Sequence, residues 1–300
     1  MDELLATVRD FSRPLQPIPT GVEPVVKELP GIRAVVFDVY GTLLISGSGD
    51  VGTVAAAPAD AFAQACEAVG LALQGDAGQG PAALVQAIEQ SHQNSRTKGI
   101  EHPEVDITAI WQTTIERLAA QSVIDDLPSS IDYQRLAVEY EVRVNPVWPM
   151  PGLVRCLATL RSAGMMMGIV SNAQFFTPML FGVLVERSIA ELGFAEEVCV
   201  WSFQHGHAKP GLFLYQRASE LLESHGIEPG EVLYVGNDML NDITPARGVG
   251  FRTGLFAGDQ RSLRMREGDE RVAGVSPELV FTHLDQIAPA VGIFKKRPEN

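Results

Sequence analysis

Residues 33–44 read RAVVFDVYGTLL. The run from Arg33 to Phe37 is short, largely β-branched and apolar at consecutive rather than alternate positions, which predicts a strand buried on both faces, as in a parallel sheet. The chain leaves that strand at Asp38, and the small residues of ISGSGDVG (45–52) predict a loop followed by a hinge around Ser46 to Asp50. Open parallel sheets bind ligands beyond the carboxyl ends of their strands, so Asp38 stands at the position where chemistry is expected.

Working outward, the region after NPVWPMPG (145–152) alternates between the two hydrophobic periods. Strands are predicted at 165–170, 197–201, 231–235, 251–256 and 278–281. Helices are predicted at 152–163, between 175 and 192, and at 210–224, 239–248 and 282–290. Repeated βα alternation implies an α/β fold, a doubly wound parallel sheet with helices on both faces. From about 55 to 145 the apolar residues recur only at three-to-four spacing, as in IWQTTIERLAAQ (110–121), which predicts an inserted α-helical unit. Upstream, Pro14, Pro17, Pro19, Pro24 and Pro30 are expected to interrupt any regular element. The expected division is an N-terminal extension (1–30), a catalytic core (31–45 and 147–300) and a helical cap domain (46–146) joined by hinges at 46–50 and 146–151.

The bulk composition narrows the partners. Of the 300 residues 46% are hydrophobic, enough to bury a large core. The formal net charge of -14 argues against nucleic acid or an anionic membrane as partner, and leaves room for a local positive site taking a small anionic substrate. Cys66, Cys156 and Cys199 lie far apart in apolar surroundings, as reduced core thiols do, and the N-terminus lacks a basic segment followed by an apolar run. The expectation is a cytoplasmic protein, monomer or homodimer.

Four predicted strand ends carry polar groups: Asp38; Ser171 and Asn172; Lys209, in the loop after EVCVW; and Asn237 with Asp238 and Asp242, after EVLYV. Each alone has an ordinary role as a cap, turn or surface charge. Together on one sheet edge they make a site. The Asp38 carboxylate is a nucleophile able to form an ester or acyl phosphate, and Lys209 holds it ionised. Ser171 and backbone amides near Thr42 and Asn172 donate to oxygens where charge builds up. Asp238 and Asp242, with Asp38, are candidate ligands for a hard cation such as Mg2+. His205 and His207 flank the lysine loop as polar loop residues. Trp111, Tyr133 and His102 belong to the cap, where aromatic residues at helical spacing are more often core than crevice. The arginine-rich tract 257–272, with Arg261, Arg264, Arg266 and Arg271, is expected as solvated surface.

These motifs resemble the haloacid dehalogenase-like (HAD) hydrolase superfamily: FDVYGTLL for its first motif, GIVSNAQ for its second, SFQHGHAKPGLFLY for its third and LYVGNDMLNDITPARGVGF for its fourth, in order. The resemblance implies a covalent aspartyl intermediate on Asp38, with a cap that closes over the site and selects substrate. Two departures bear on the reaction. Tyr40 stands where phosphatases of the family carry a second Asp as acid/base, which is similar to the 2-haloacid dehalogenases. Against that, both Asp238 and Asp242 are present, whereas those dehalogenases lack the metal-binding acid, and no arginine stands between Tyr40 and Arg96 to hold a substrate carboxylate. Asn237 occupies the usual place of the first acid, so the ligand there is either Asn237 through its side-chain carbonyl oxygen or, favoured because a carboxylate binds a hard cation more strongly, Asp238 one place further along. The leading expectation is Mg2+-assisted hydrolysis of a small phosphorylated metabolite, with Asp38, Tyr40, Thr42, Ser171, Asn172 and Lys209 at the reacting centre. The alternatives are metal-independent 2-haloacid hydrolysis, or a catalytically weak binding or regulatory protein.

Overall fold

Ala34 and Val36 bury on one side of the sheet and Val35 and Phe37 on the other, all four without exposed surface. This is what a strand covered by helices on both faces requires, and each such side chain contributes roughly 1.5–3 kcal/mol on burial. The computed structural model describes residues 2–48, 59–125 and 127–294, so Gly49 and Asp50 of the expected hinge lie outside the described residues.

In chain order the elements are α1 (Asp2–Phe11), β1 (Ala34–Phe37), β2 (Leu44–Ser46), α2 (Ala59–Ala68), α3 (Gln79–Thr97), α4 (Ile107–Ala120), α5 (Tyr133–Val144) and β3 (Val147–Pro149). They continue with α6 (Leu153–Ser162), β4 (Met166–Ser171), α7 (Thr177–Leu184), α8 (Ile189–Leu192), β5 (Cys199–Trp201), α9 (Ser202–His205) and α10 (Phe213–Ser224). The last are β6 (Val232–Gly236), α11 (Thr244–Gly248), β7 (Arg252–Phe256), β8 (Leu279–Phe281) and α12 (Ile287–Ala290). Six strands form one parallel sheet in the order β5-β4-β1-β6-β7-β8. The strand order reverses beside β1, so the carboxyl ends of β1, β4 and β6 meet at the switch point where such sheets bind ligands.

Helices α2 to α5 have their own apolar core around Phe62, Leu84, Trp111, Ile115 and Tyr140. Trp111 is therefore a core residue, stacked on Phe62 with ring centroids 6.0 Å apart. Two short strands join this unit to the sheet. β2 pairs antiparallel with β3, and Ser46 Oγ donates to Asn145 Oδ1 at 2.7 Å. Ser46 and Ser48 of the first expected hinge are thus bonded to Asn145 and the strand beside it.

Two other elements differ from the sequence reading. Residues 2–11 form a helix, because they precede the first proline and bring Leu4 and Val8, one turn apart, into the core. Its Thr7 hydroxyl donates to the buried Glu139 carboxylate of α5 at 2.9 Å. The proline-rich stretch that follows is bonded to the sheet's far edge through Ile18 N to Asp259 Oδ1 (3.1 Å) and a bridge from Val25 to Val280. Residues 239–248 are a wide π-type turn, Met239–Ile243, running into the short α11 rather than one helix. The three cysteines are buried and free, and burial pushes each thiol up to about 12. Among the described residues no helix is long and apolar enough to cross a membrane.

Candidate active site

The site is assembled around the ammonium of Lys209. Its three N–H bonds have three acceptors: Asp38 Oδ1 at 2.7 Å, Asp242 Oδ1 at 2.7 Å and the Tyr234 hydroxyl at 2.9 Å. Ser171 Oγ donates to the same Asp38 oxygen at 3.1 Å. The sheet produces this convergence directly. Asp38 follows β1, Ser171 ends β4 on one side, and β6 on the other side leads into the turn that carries Asp242. Lys209 is held at its own backbone, where its N–H donates to Asn172 Oδ1 at 2.8 Å. Neighbouring Ala208 donates to the His102 carbonyl from the cap, also at 2.8 Å.

Two glycines permit the approach. A Cβ on Gly236 would lie 2.4 Å from Asp242 Cγ, so only glycine at the end of β6 lets that carboxyl reach the lysine. Gly41 has φ +85°, in the left-handed region, and a Cβ there would meet Ser262 Cβ at 2.5 Å and Asn237 Nδ2 at 2.8 Å.

Burial pushes the Asp38 carboxyl up to about 6, with Lys209 opposing the rise and Asp242 adding to it. Burial alone would lower the Lys209 ammonium, but the two carboxylates outweigh it and hold the group charged above its ordinary range. Asp38 thus changes from acid to carboxylate just below neutrality, while its partner cation stays charged.

The remaining expected residues have definite places. Tyr40 is buried with its hydroxyl 2.8 Å from Thr177 Oγ1, and burial, followed by the nearby Glu141 charge, drives its pKa still higher. It is not an acid at any ordinary pH. Thr42 Oγ1 donates to Asn237 Oδ1 at 3.1 Å, and Asn237 Nδ2 donates to the Ser262 carbonyl at 2.6 Å. His207 stacks on Phe213, with ring centroids 4.1 Å apart, and His205 packs at 5.6 Å from the same ring.

The carboxylates expected as Mg2+ ligands are already engaged. Asp38 and Asp242 share Lys209, and Asp242 Oδ2 accepts the Asp238 N–H at 2.9 Å. Asp238 caps the turn after β6, accepting from the Leu240 and Asn241 amides at 2.8 and 3.1 Å, and meets the Arg266 guanidinium through both oxygens at 3.0 and 2.5 Å. Among the described residues no three His, Cys, Asp or Glu side chains converge as a metal-holding group. Mg2+ demands near-octahedral oxygen ligands at about 2.0–2.1 Å, and this donor set, with two acids sharing Lys209 and the third turned to Arg266 and backbone amides, does not fit it.

Two participants were not anticipated. Tyr234 accepts from Lys209, and its proton faces Asp242 Oδ1 and the Val170 carbonyl, both at 3.0 Å. The signal was a phenol inside the apolar run EVLYV, which must find a buried partner. Arg266 was expected in solvent, but it pairs with Asp238, while Arg261 pairs with buried Asp259. Nothing in the local sequence distinguishes them from Arg271, which is exposed as expected.

Known proteins agree with this architecture. The chain is similar to a 2-haloacid dehalogenase from Pseudomonas syringae pv. tomato DC3000, at 18% identity over 87% of this chain and 98% of that one, with a TM-score of 0.54. It is also similar to a HAD phosphatase from Thermococcus onnurineus (18%, 88% and 100%, TM-score 0.51). A third is the L-2-haloacid dehalogenase from Xanthobacter autotrophicus with chloropropionic acid covalently bound (24%, 87% and 98%, TM-score 0.46). For the first two, at 18% identity, the likeness is one of fold. Among curated protein sequences none matches the chain. The family description "haloacid dehalogenase-like hydrolase" matches residues 32–250, which span the sheet from β1 to β6, all four motifs and the inserted helices, and the chain belongs to that family.

Proposed function

We propose that this hydrolase acts by displacement at carbon through an ester on Asp38, without a metal ion, on a small organic acid bearing a halide-type leaving group. The observation that carries this reading is the occupied Tyr40 hydroxyl, bonded to Thr177 and shifted far from any useful acidity. With no proton donor at that position, the leaving group must depart as a stable anion. An Asp38 oxygen attacks the substrate carbon, and the bond to the leaving group breaks with its electron pair on the departing anion. Water then adds to the Asp38 carboxyl carbon of the ester. The bond between that carbon and the substrate oxygen breaks, the alcohol leaves with one proton, and a second proton goes to solvent as the carboxylate is restored. Lys209 and Ser171 neutralise the oxyanion that forms on Asp38 during this second step. The amides around Thr42 expected to meet the substrate are spent within their own turn, Gly41 N on the Leu44 carbonyl at 2.6 Å and Thr42 N on the Val39 carbonyl at 3.2 Å, so with no arginine between Tyr40 and Arg96 the substrate's own charge falls to Ser171 and the peptide at Asn172.

Phosphoryl transfer to Asp38 is the second reading. One observation favours it: Lys209 and Ser171 both converge on Asp38, as donors to phosphoryl oxygens would. A panel of 2-haloacids and phosphate esters assayed with chelator and with Mg2+ separates the two. Halide release that persists in chelator, and that places 18O from labelled water in Asp38 during a single turnover, is the expected result. Phosphate release that requires Mg2+, with no halide release from any acid, overturns it.

A further inference from the structure

We infer that Arg266 is a positioning residue that does at this sheet edge what a divalent cation would otherwise do: it neutralises Asp238 and keeps that carboxylate turned away from Asp38. The inference rests on the metal-independent reading above and gives it a structural cause. The guanidinium addresses Asp238 with two donors, Nε to Oδ1 at 3.0 Å and Nη2 to Oδ2 at 2.5 Å, the planar two-point geometry that a lysine cannot reproduce. Asp238 is nearly buried, its side chain 8% exposed, and the Asn241 side-chain amide adds a further donor to Oδ2 at 3.1 Å. Both oxygens are thereby committed.

The loop that delivers Arg266 is built for this contact. Met239 N donates to the Arg264 carbonyl at 2.9 Å and Arg264 N donates to the Asn237 carbonyl at 3.0 Å, so the loop is bonded to the fourth motif on both sides of Asp238. Arg266 itself has φ +55°, a left-handed conformation costly for a residue with a Cβ. Such a conformation persists where surrounding bonds enforce it and recurs at functional sites. The two cations divide the three acids between them: Lys209 bonds Asp38 and Asp242, and Arg266 bonds Asp238. A divalent ion would have to displace Arg266 from Asp238 or Lys209 from the other two.

The test uses the full chain and reads metal binding directly, by the electron paramagnetic resonance of free Mn2+ and by melting temperature in chelator and in millimolar Mg2+. The native chain is expected to take up no stoichiometric Mn2+ and to melt at the same temperature in both buffers. Arg266→Gln, which keeps the length and removes the charge, is expected to bind one equivalent of Mn2+ and to melt several degrees higher with Mg2+ than with chelator, because a ligand bound only by the folded state stabilises it. Arg266→Lys is expected to remain indifferent to metal. Uptake of one Mn2+ by the native chain overturns the inference, as does an Arg266→Gln chain that folds and binds none. The native titration decides even if the variant does not fold. Neither readout needs a substrate, so failure to find halide release leaves this contrast standing, and loss of the contrast leaves ester chemistry on Asp38 to be judged by its own isotope test.

Discussion

Lys209 and Asp242 form an ion pair of 2.7 Å in which each side chain is only 3% exposed. Asp242 is therefore tied to Lys209, and through Lys209 it is linked to Asp38. A buried cation between two carboxylates tolerates loss of neither charge nor geometry.

Replacing the cation tests that relationship. Lys209→Met is expected to destabilise the fold by about 3–5 kcal/mol at pH 8, where both carboxylates lose their partner in a dry environment. The loss is expected to be smaller at pH 5, where Asp38, with its carboxyl pushed up to about 6, is largely neutral. Urea midpoints at the two pH values measure the difference. An equal loss at both removes electrostatics as the cause. In activity the variant is expected to fall by at least ~10²-fold, the usual effect of removing a donor to a developing oxyanion.

The pH profile follows from the same group. In the proposed reaction the ionised form of Asp38 attacks, so kcat/KM is expected to rise about tenfold per pH unit below about 6 and to level off above it. Stability runs the other way. A carboxyl raised in the folded state contributes stability that is full below its unfolded value near 3.8 and is lost as pH rises through about 6. Asp38→Asn is expected to abolish turnover and flatten that part of the stability curve, while Tyr40→Phe leaves the acid limb of the rate profile in place. A limb that moves with Tyr40→Phe would assign the titration to the wrong residue.

Gly236→Ala probes the closest approach in the site. The new Cβ would sit 2.4 Å from Asp242 Cγ, closer than such atoms approach, so the buried carboxyl must shift. Overpacking of this kind costs typically about 1–3 kcal/mol, and the displaced Asp242 is expected to release Lys209 and lower kcat more than the melting temperature alone suggests. A variant with native activity and unchanged stability would show that Asp242 can relocate without consequence.

Much of the fold was legible in the sequence because a buried parallel strand and an amphipathic helix leave different periods. RAVVF and EVLYV predicted β1 and β6, and the three-to-four spacing of 107–120 predicted α4. The helix at 2–11 is hidden because its ten residues run straight into a proline-rich stretch whose composition signals irregular chain. The β2–β3 pair was missed because three-residue strands carry no period.

For the site, residue type and position at a strand end were enough to select Asp38, Ser171, Lys209 and Asp242, since each had to lie near the carboxyl edge of one sheet. Which way each side chain turns was not in the sequence. Asp238 and Asp242 are spaced alike for a shared ion, yet Asp242 turns to Lys209 through the gap left by Gly236 and Asp238 turns to Arg266. Arg266 lies 28 residues further along, beyond the whole of β7. Local sequence records propensity and period, whereas the pairing of charges depends on distances between segments far apart in the chain. Only the folded sheet and the loop packed across its edge set those distances.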